Sequence, residues 1–439
     1  MGFVDGCDQN WKNFACNHKV LDRLISKKAS RGGLAGAFSH RNFAIFAIGN
    51  FPSQCGVWAQ RLAIGWLTWE LTKSPWWLGV MGFADLVPVV LLSPLAGYMA
   101  DRFERIKLAR LIQFLNVIVT ALLMVTAFSG FLNIELLLLF AFITGMDHAL
   151  FQPIRSSLPP ALVPREDLPA AIAFGGFTWN SARVIGPAIG ATILNFWGVN
   201  SVFLINTILY SWFFAALWLV RVPPMAKLPP SGLSILGDII AGYRYAASHP
   251  VIGPSLLILL GSSFLTRPLV ELLPGFSSGI FSQGAEGLAI LTSAMGIGAV
   301  AAGITIAQRG RFEGLAKITA YAVMVGAIVL VVITNTNHFE VAVVCMVFFG
   351  IQYSLVGTCI QSLIQAVAEE TMRGRVLALY GLIWIGGAAV GSLFMGAVSE
   401  VFGLTQPISV SGILCLVVFI YAWRVKGSIE ASIVKQGGG

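Results

Sequence analysis

The sequence predicts an all-α fold, a polytopic membrane protein with 12 transmembrane helices in two pseudo-symmetric six-helix bundles. Three observations carry this expectation. Of 439 residues, 56% are hydrophobic and only 11% charged, too few charges to cover a soluble domain of this size. Apolar segments of about 20 residues, the length that crosses a bilayer, recur about twelve times between short polar connections. The two halves also repeat at one constant spacing, which pairs Glu135 with Glu340, Gly145 with Gly350, Ser157 with Ser362, Leu158 with Leu363, Gly186 with Gly391, Gly198 with Gly403 and Trp218 with Trp423.

Residues 1–41 read as a basic, apolar-poor cytoplasmic tail. The first bundle occupies 42–222, with spans expected at 43–69, 75–100, 106–129, 134–156, 171–195 and 200–221. Residues 223–250 form a linker. Pro223, Pro224, Pro229 and Pro230 open it. An amphipathic stretch follows, with Leu233, Leu236, Ile240 and Tyr243 near one face and Asp238 and Arg244 away from it, which suits a helix lying at a membrane surface. The second bundle occupies 251–426, with spans at 251–275, 286–308, 314–334, 339–365, 377–399 and 405–426, and 427–439 is a cytoplasmic tail.

The net charge of +8 is explained by topology. Lys and Arg crowd the N-terminal tail and alternate loops, while the opposite loops hold only Lys73. That asymmetry puts both termini in the cytoplasm, in a cell inner membrane, and argues against nucleic acid as a partner. Of the six cysteines, Cys55, Cys345, Cys359 and Cys415 lie in apolar spans and read as packing; Cys7, Cys16 and His18 are too loosely spaced for a metal site. No phosphate loop of the form Gly-x-x-x-x-Gly-Lys-Ser/Thr occurs, so ATP is not expected to drive the protein, and no cofactor is implied. Gly275-Phe276-Ser277-Ser278-Gly279 fits Gly-x-Ser-x-Gly, but it ends a membrane helix where a nucleophile elbow needs a strand, so no enzyme is expected.

A polar hinge, Gly97 to Lys107, joins the second and third spans. It resembles the loop of the major facilitator superfamily, Gly-x-x-x-Asp-Arg-x-Gly-Arg followed by a basic residue. Gly97, Asp101, Arg102 and Arg105 match, Glu104 replaces the second Gly, and the basic residue comes at Lys107. The resemblance covers about residues 42–426 and points to the bacterial branch of enterobactin exporters and drug–proton antiporters. In the fifth span, Gly186, Pro187 and Gly190 match that family's antiporter signature Gly-Pro-x-x-Gly-Gly, with Ala191 in the last place. In the second half, the equivalent loop keeps Gly303 and Arg311 but has Ala307 where the acid would be.

The resemblance implies a proton-coupled exporter of a small organic or amphipathic molecule, working as a monomer by alternating access. An importer or facilitator on the same fold, or a transport-inactive sensor or scaffold, is the alternative. It also implies that Gly97, Asp101, Arg102 and Arg105, with Arg155 at the end of the fourth span, form a cytoplasmic latch. Charges inside spans are costly and mark function. Asp147 is the first candidate for proton coupling, since a carboxylate in apolar surroundings is the kind of group that can cycle a proton. Arg183 lies at comparable depth and is a possible partner. Arg61 and Asp85 sit at matched depth on neighbouring spans and form a second candidate pair. Arg267 and Glu271 are four residues apart on one helical face, which suits a self-contained pair, an outer gate or a substrate contact at the cavity. The family arrangement would also put Gln54, Trp58, Gln152, Phe264, Gln352, Tyr353 and Gln361 on the cavity.

Overall fold

A computed structural model describes residues 33–222, 235–309 and 312–437. Side chains at 94, 97, 98, 100–102, 235–239 and 433–437 lie outside that description. The expectations for Cys7, Cys16, His18, the linker prolines, Leu233 and Arg311 therefore also fall outside it.

The described chain is nearly all helix. Its long helices are α1 (Arg41–Thr72), α2 (Pro75–Arg102), α3 (Arg105–Phe128), α4 (Ile134–Ser157), α5 (Leu168–Trp197), α6 (Val199–Leu219), α7 (Ile252–Thr266), α8 (Gly284–Arg309), α9 (Leu315–Thr334), α10 (Phe339–Val367), α11 (Glu370–Phe402) and α12 (Thr405–Gly437). Among the described residues, ten helices are long and apolar enough to cross a membrane. α1 and α5 are outside that set. Asn50, Gln54, Gln60 and Arg61 interrupt the apolar run of α1, and Asn180, Arg183 and several glycines interrupt that of α5.

Local chemistry sets the helix ends. Ser74 caps α2 by accepting from the Trp77 amide, with Pro75 in the first turn. Asn133 caps α4 by accepting from the Leu136 amide at 2.9 Å. Gly198 and Gly403, paired by the sequence repeat, end α5 and α11 at φ 78° and φ 79°. Only glycine adopts that backbone without strain, so the repeat is conformational as well as compositional.

The expected seventh span is one continuous crossing, Ile252–Ile280, with an irregular turn at Arg267. α7 stops at Thr266, and a second segment, Pro268–Gly275, continues into a π turn at Phe276–Ile280. Pro268 and Pro274 lack the amide that an unbroken ladder needs. In that turn the Ser277 hydroxyl donates to the Gly284 carbonyl at 2.7 Å, so the Gly-x-Ser-x-Gly string has a local structural use. At the other end of the chain, α12 runs past the expected boundary at 426 to Gly437. The linker contributes a helix, Ile235–Ser248. Its Ile240 and Tyr243 are exposed, while Gly242 lies against α11 and the Tyr245 hydroxyl accepts from the Glu369 amide at 3.2 Å.

The packing repeats with a shift of six helices. α1 lies on α5 and α6, α2 on α4, and α3 on α4 and α6; likewise α7 lies on α11 and α12, α8 on α10, and α9 on α10 and α12. Two larger seams cross between these groups, α2 with α11 and α5 with α8. Large aromatic side chains such as Phe203, Phe213, Phe276 and Phe349 are fully buried between helices. On α3, Leu111, Leu115, Ile118, Leu122 and Val125 form an exposed stripe at helical spacing. An outward apolar stripe of this length fits lipid as the surrounding solvent.

Candidate functional site

The charged residues inside the helices fall into three groups. The first is centred on Arg61 of α1. Its Nη2 donates to Glu271 at 2.8 Å and lies 3.1 Å from Asp85 of α2. Glu271 belongs to the segment after α7, so this contact joins the two packing groups. A glycine makes room for it: a Cβ at Gly82 would sit 2.8 Å from the Glu271 Cγ. The expected intrahelical pair of Arg267 with Glu271 is not formed. Glu271 turns to Arg61, and Arg267 instead meets the Trp384 carbonyl and the Tyr353 ring.

The second group surrounds Asp147 on α4. Asp147 is buried, and its Oδ1 has no hydrogen-bond partner. It shares a small cavity with Gln54, Gln113, Asn116, His148, Arg155 and Tyr210. Arg183 is not there. α5 packs on α1 and α8, which turns Arg183 away from α4 and toward α10. The possible Asp147–Arg183 pair is therefore absent, and the cation that shares the Asp147 cavity is Arg155. His148 and Tyr210 line both this cavity and the one around Arg61, so the two polar groups adjoin.

Arg155 points into the bundle. It donates to Gln152 and stands over the Trp179 ring at 5.6 Å. The side chains of Gly97, Asp101 and Arg102 lie outside the described residues, while Arg105 donates to the Ser157 carbonyl at 3.4 Å and Glu104 pairs with Lys107 at 3.0 Å.

The third group lies where α5, α7, α10 and α11 meet. Arg183 and Arg267 stand 5.5 Å and 5.2 Å from the centroid of the Tyr353 ring. Arg267 also lies 5.0 Å from the Trp384 ring and donates to the Trp384 carbonyl at 2.8 Å. Tyr380 stacks on Trp384 at an interplanar angle of 11°.

The remaining sequence candidates scatter. Gln54 and Trp58 are placed with unpartnered polar atoms, and Trp58 packs edge-on against Trp179 at 5.5 Å. Gln352 is buried and donates to Thr266 at 3.3 Å. Phe264 packs on Phe394, and Gln152 and Gln361 are exposed. Gly186 and Gly190 seat α5 on α1, where a Cβ at Gly186 would lie 2.6 Å from the Trp58 Cβ. Pro187 is buried beside them. Sequence reasoning missed Gln60, Gln113, Asn116, Tyr210 and Gly82. The first three were findable as amides inside apolar spans.

The two groups of helices meet along part of their length. Ser74, before α2, donates to Glu400 of α11 at 2.7 Å, as does the Trp76 amide at 3.0 Å. Leu86 packs with Ala388 and Ala389. In the other seam, Ser293 of α8 donates to the Val184 carbonyl of α5 at 3.2 Å.

A model of the transmembrane secretion effector family matches residues 32–432. The chain belongs to that family, within the major facilitator superfamily of multi-pass membrane transporters, and its relatives include efflux proteins. It is 26% identical over 374 residues to the staphyloferrin A transporter of Staphylococcus aureus, covering 83% of this chain and 92% of that one. It is 24% identical to the enterobactin exporter of Citrobacter koseri, covering 82% and 86%. Among solved structures, a POT family transporter in complex with a thioalcohol-conjugated peptide superposes with a TM-score of 0.72 at 12% identity, covering 88% of this chain and 96% of that one.

Proposed function

We propose that this transporter exports a small organic or amphipathic molecule in exchange for protons, as a monomer. Twelve spans in two six-helix halves rock about a central cavity, with both termini in the cytoplasm of a cell with an inner membrane. The observation that carries the reading is the ion bridge from Arg61 to Glu271 across the halves. Further toward the outer end, Ser74 and Trp76 at the start of α2 join the halves again through Glu400. Contacts that join the halves at one end suit a state closed outside and open to the cytoplasm, one of the two states that alternating access requires. The recurring helix pairings support the two-half architecture. The exporter named among the relatives supports the outward direction.

In this reading Asp147 carries the proton. It is buried, beside His148 and Arg155, and one carboxylate oxygen has no partner. Asp101, Arg102 and Arg105 act with Gly97 as the cytoplasmic latch. The test is proton flux in inverted vesicles with an energised pH gradient, using a panel of lipophilic cations, chelators and other metabolites. Gradient dissipation by one class, lost in Asp147→Asn, is the expected result. Dissipation that survives the substitution moves the coupling to Asp85, and no response to any class removes the exporter reading.

A further inference from the structure

We propose that Arg183 and Arg267 jointly bind one oxyanion group, such as a carboxylate, of an organic substrate whose body rests on Trp384 and Tyr380. The proposal rests on the transport reading for calling the occupant a substrate. Two guanidinium groups stand against the one ring of Tyr353, Arg183 from α5 and Arg267 from the residue after α7, hence one from each proposed half. Neither forms an ion pair with a carboxylate among the described residues. Arg183 is only 7% exposed, and its Nε has no hydrogen-bond partner. Arg267 has its bond to the Trp384 carbonyl.

The contrast with Arg61 decides the reading. Arg61 is also within the helices, yet it is met by both Asp85 and Glu271. Uncompensated cations in low-polarity surroundings are costly, and two of them near each other repel. A cation–π contact offsets only part of that cost. A carboxylate accepts from guanidinium forks on two oxygens, so one such group can satisfy both arginines at once. The half-buried, near-parallel Trp384 and Tyr380 rings give aromatic surface next to Arg267. The same arginines disfavour a lipophilic cation.

The test uses the full chain in phosphatidylcholine nanodiscs, with citrate and phthalate as anionic probes and tetraphenylphosphonium as the cationic one. Calorimetric titration should find both anions bound and the cation excluded at matched concentrations. Arg183→Gln and Arg267→Gln should each weaken anion binding on the order of tenfold to a hundredfold, the range of a lost charge-assisted hydrogen bond. If a glutamine variant does not fold, the corresponding lysine variant carries the test, because lysine keeps the charge but loses the fork and should bind the anions more weakly than arginine. Anion binding unchanged in the folded variants, or absent from the wild type, overturns the proposal. Titration in discs containing phosphatidylglycerol separates two sources of oxyanion. Retained citrate binding supports a soluble substrate, and loss to the lipid phosphate overturns that assignment. Arginine-dependent binding without any flux keeps this site and removes the transport reading. Flux indifferent to both glutamine substitutions does the reverse.

Discussion

Arg61 of α1 uses a single nitrogen to meet Glu271 at 2.8 Å and Asp85 at 3.1 Å, so one guanidinium ties a helix pair to the opposite group of helices. The partners are mostly buried, which limits screening by water. Removing Glu271 leaves Asp85 as the remaining carboxylate, so the cation stays compensated but the bridge across the groups is lost. Glu271→Gln should therefore shift the balance toward separation of the two helix groups at the Ser74–Glu400 end by about 1–3 kcal/mol, the range of a hydrogen bond to a charged group. Spin labels at Lys73→Cys and Val401→Cys, on the two sides of that end, provide the readout. Their distance distribution should broaden to longer values in the variant. An unchanged distribution would remove the bridge from the gate.

Glu400 offers a weaker version of the same tie. It accepts from Ser74 and from the Trp76 amide, so it acts as a borrowed cap for the start of α2. These groups are exposed, and exposed contacts of this kind contribute about 1 kcal/mol or less. Glu400→Gln should move the same label distances in the same direction but by a smaller population shift than Glu271→Gln. A larger shift would mean that the exposed contact, rather than the buried bridge, controls closure.

Glycine spacing gives an internal comparison of stability. A Cβ at Gly186 would press on the Trp58 Cβ at 2.6 Å and on the Cys55 carbonyl at 2.7 Å. At Gly391, its partner in the repeat, the Phe264 carbonyl is 2.5 Å away. Backbone and Cβ atoms cannot swing aside, so overpacking of about 1–3 kcal/mol is expected at each site. Gly175 is different, because a Cβ added there would have nothing within 4 Å. Gly186→Ala and Gly391→Ala should lower Tm in detergent, whereas Gly175→Ala should hold or raise it by removing backbone freedom from the unfolded chain. Equal loss at all three sites would contradict the packing account.

The sequence made the membrane class, the repeat and most helix positions legible, because hydropathy and glycine spacing are local properties. The Gly198 and Gly403 turns are an example, since one residue type and one spacing fixed both. What stayed hidden was rotation about helix axes. Asp147 and Arg183 lie at comparable depth, yet α5 turns Arg183 toward Tyr353 while Asp147 faces Asn116 and Arg155. Arg267 and Glu271 had the spacing of an intrahelical pair, but Glu271 found Arg61 on another helix and Arg267 found Tyr353 and Trp384. Depth and spacing do not determine which neighbour a side chain meets, since that depends on the packing of helices far apart in sequence.

The buried amide pair of Gln60 and Asn206 tests how much a polar contact contributes inside this bundle. The Asn206 amide donates to the Gln60 carbonyl oxygen between α1 and α6. Both residues are nearly inaccessible, at 3% and 1% exposure. In water-soluble cores a bond of this kind, once broken on one side, leaves a costly orphan. In a membrane the unfolded reference also finds partners, and measured couplings average about 0.6 kcal/mol with a maximum near 1.7. Gln60→Leu and Asn206→Leu should each destabilise the protein, and the double variant should recover part of the loss, with a coupling of about 0.5–1.5 kcal/mol. The measurement is a double-mutant cycle on the unfolding midpoint in a denaturing detergent. Strict additivity of the two losses would show that the two amides do not act as a pair, and that their cost lies in the shape of leucine at each site.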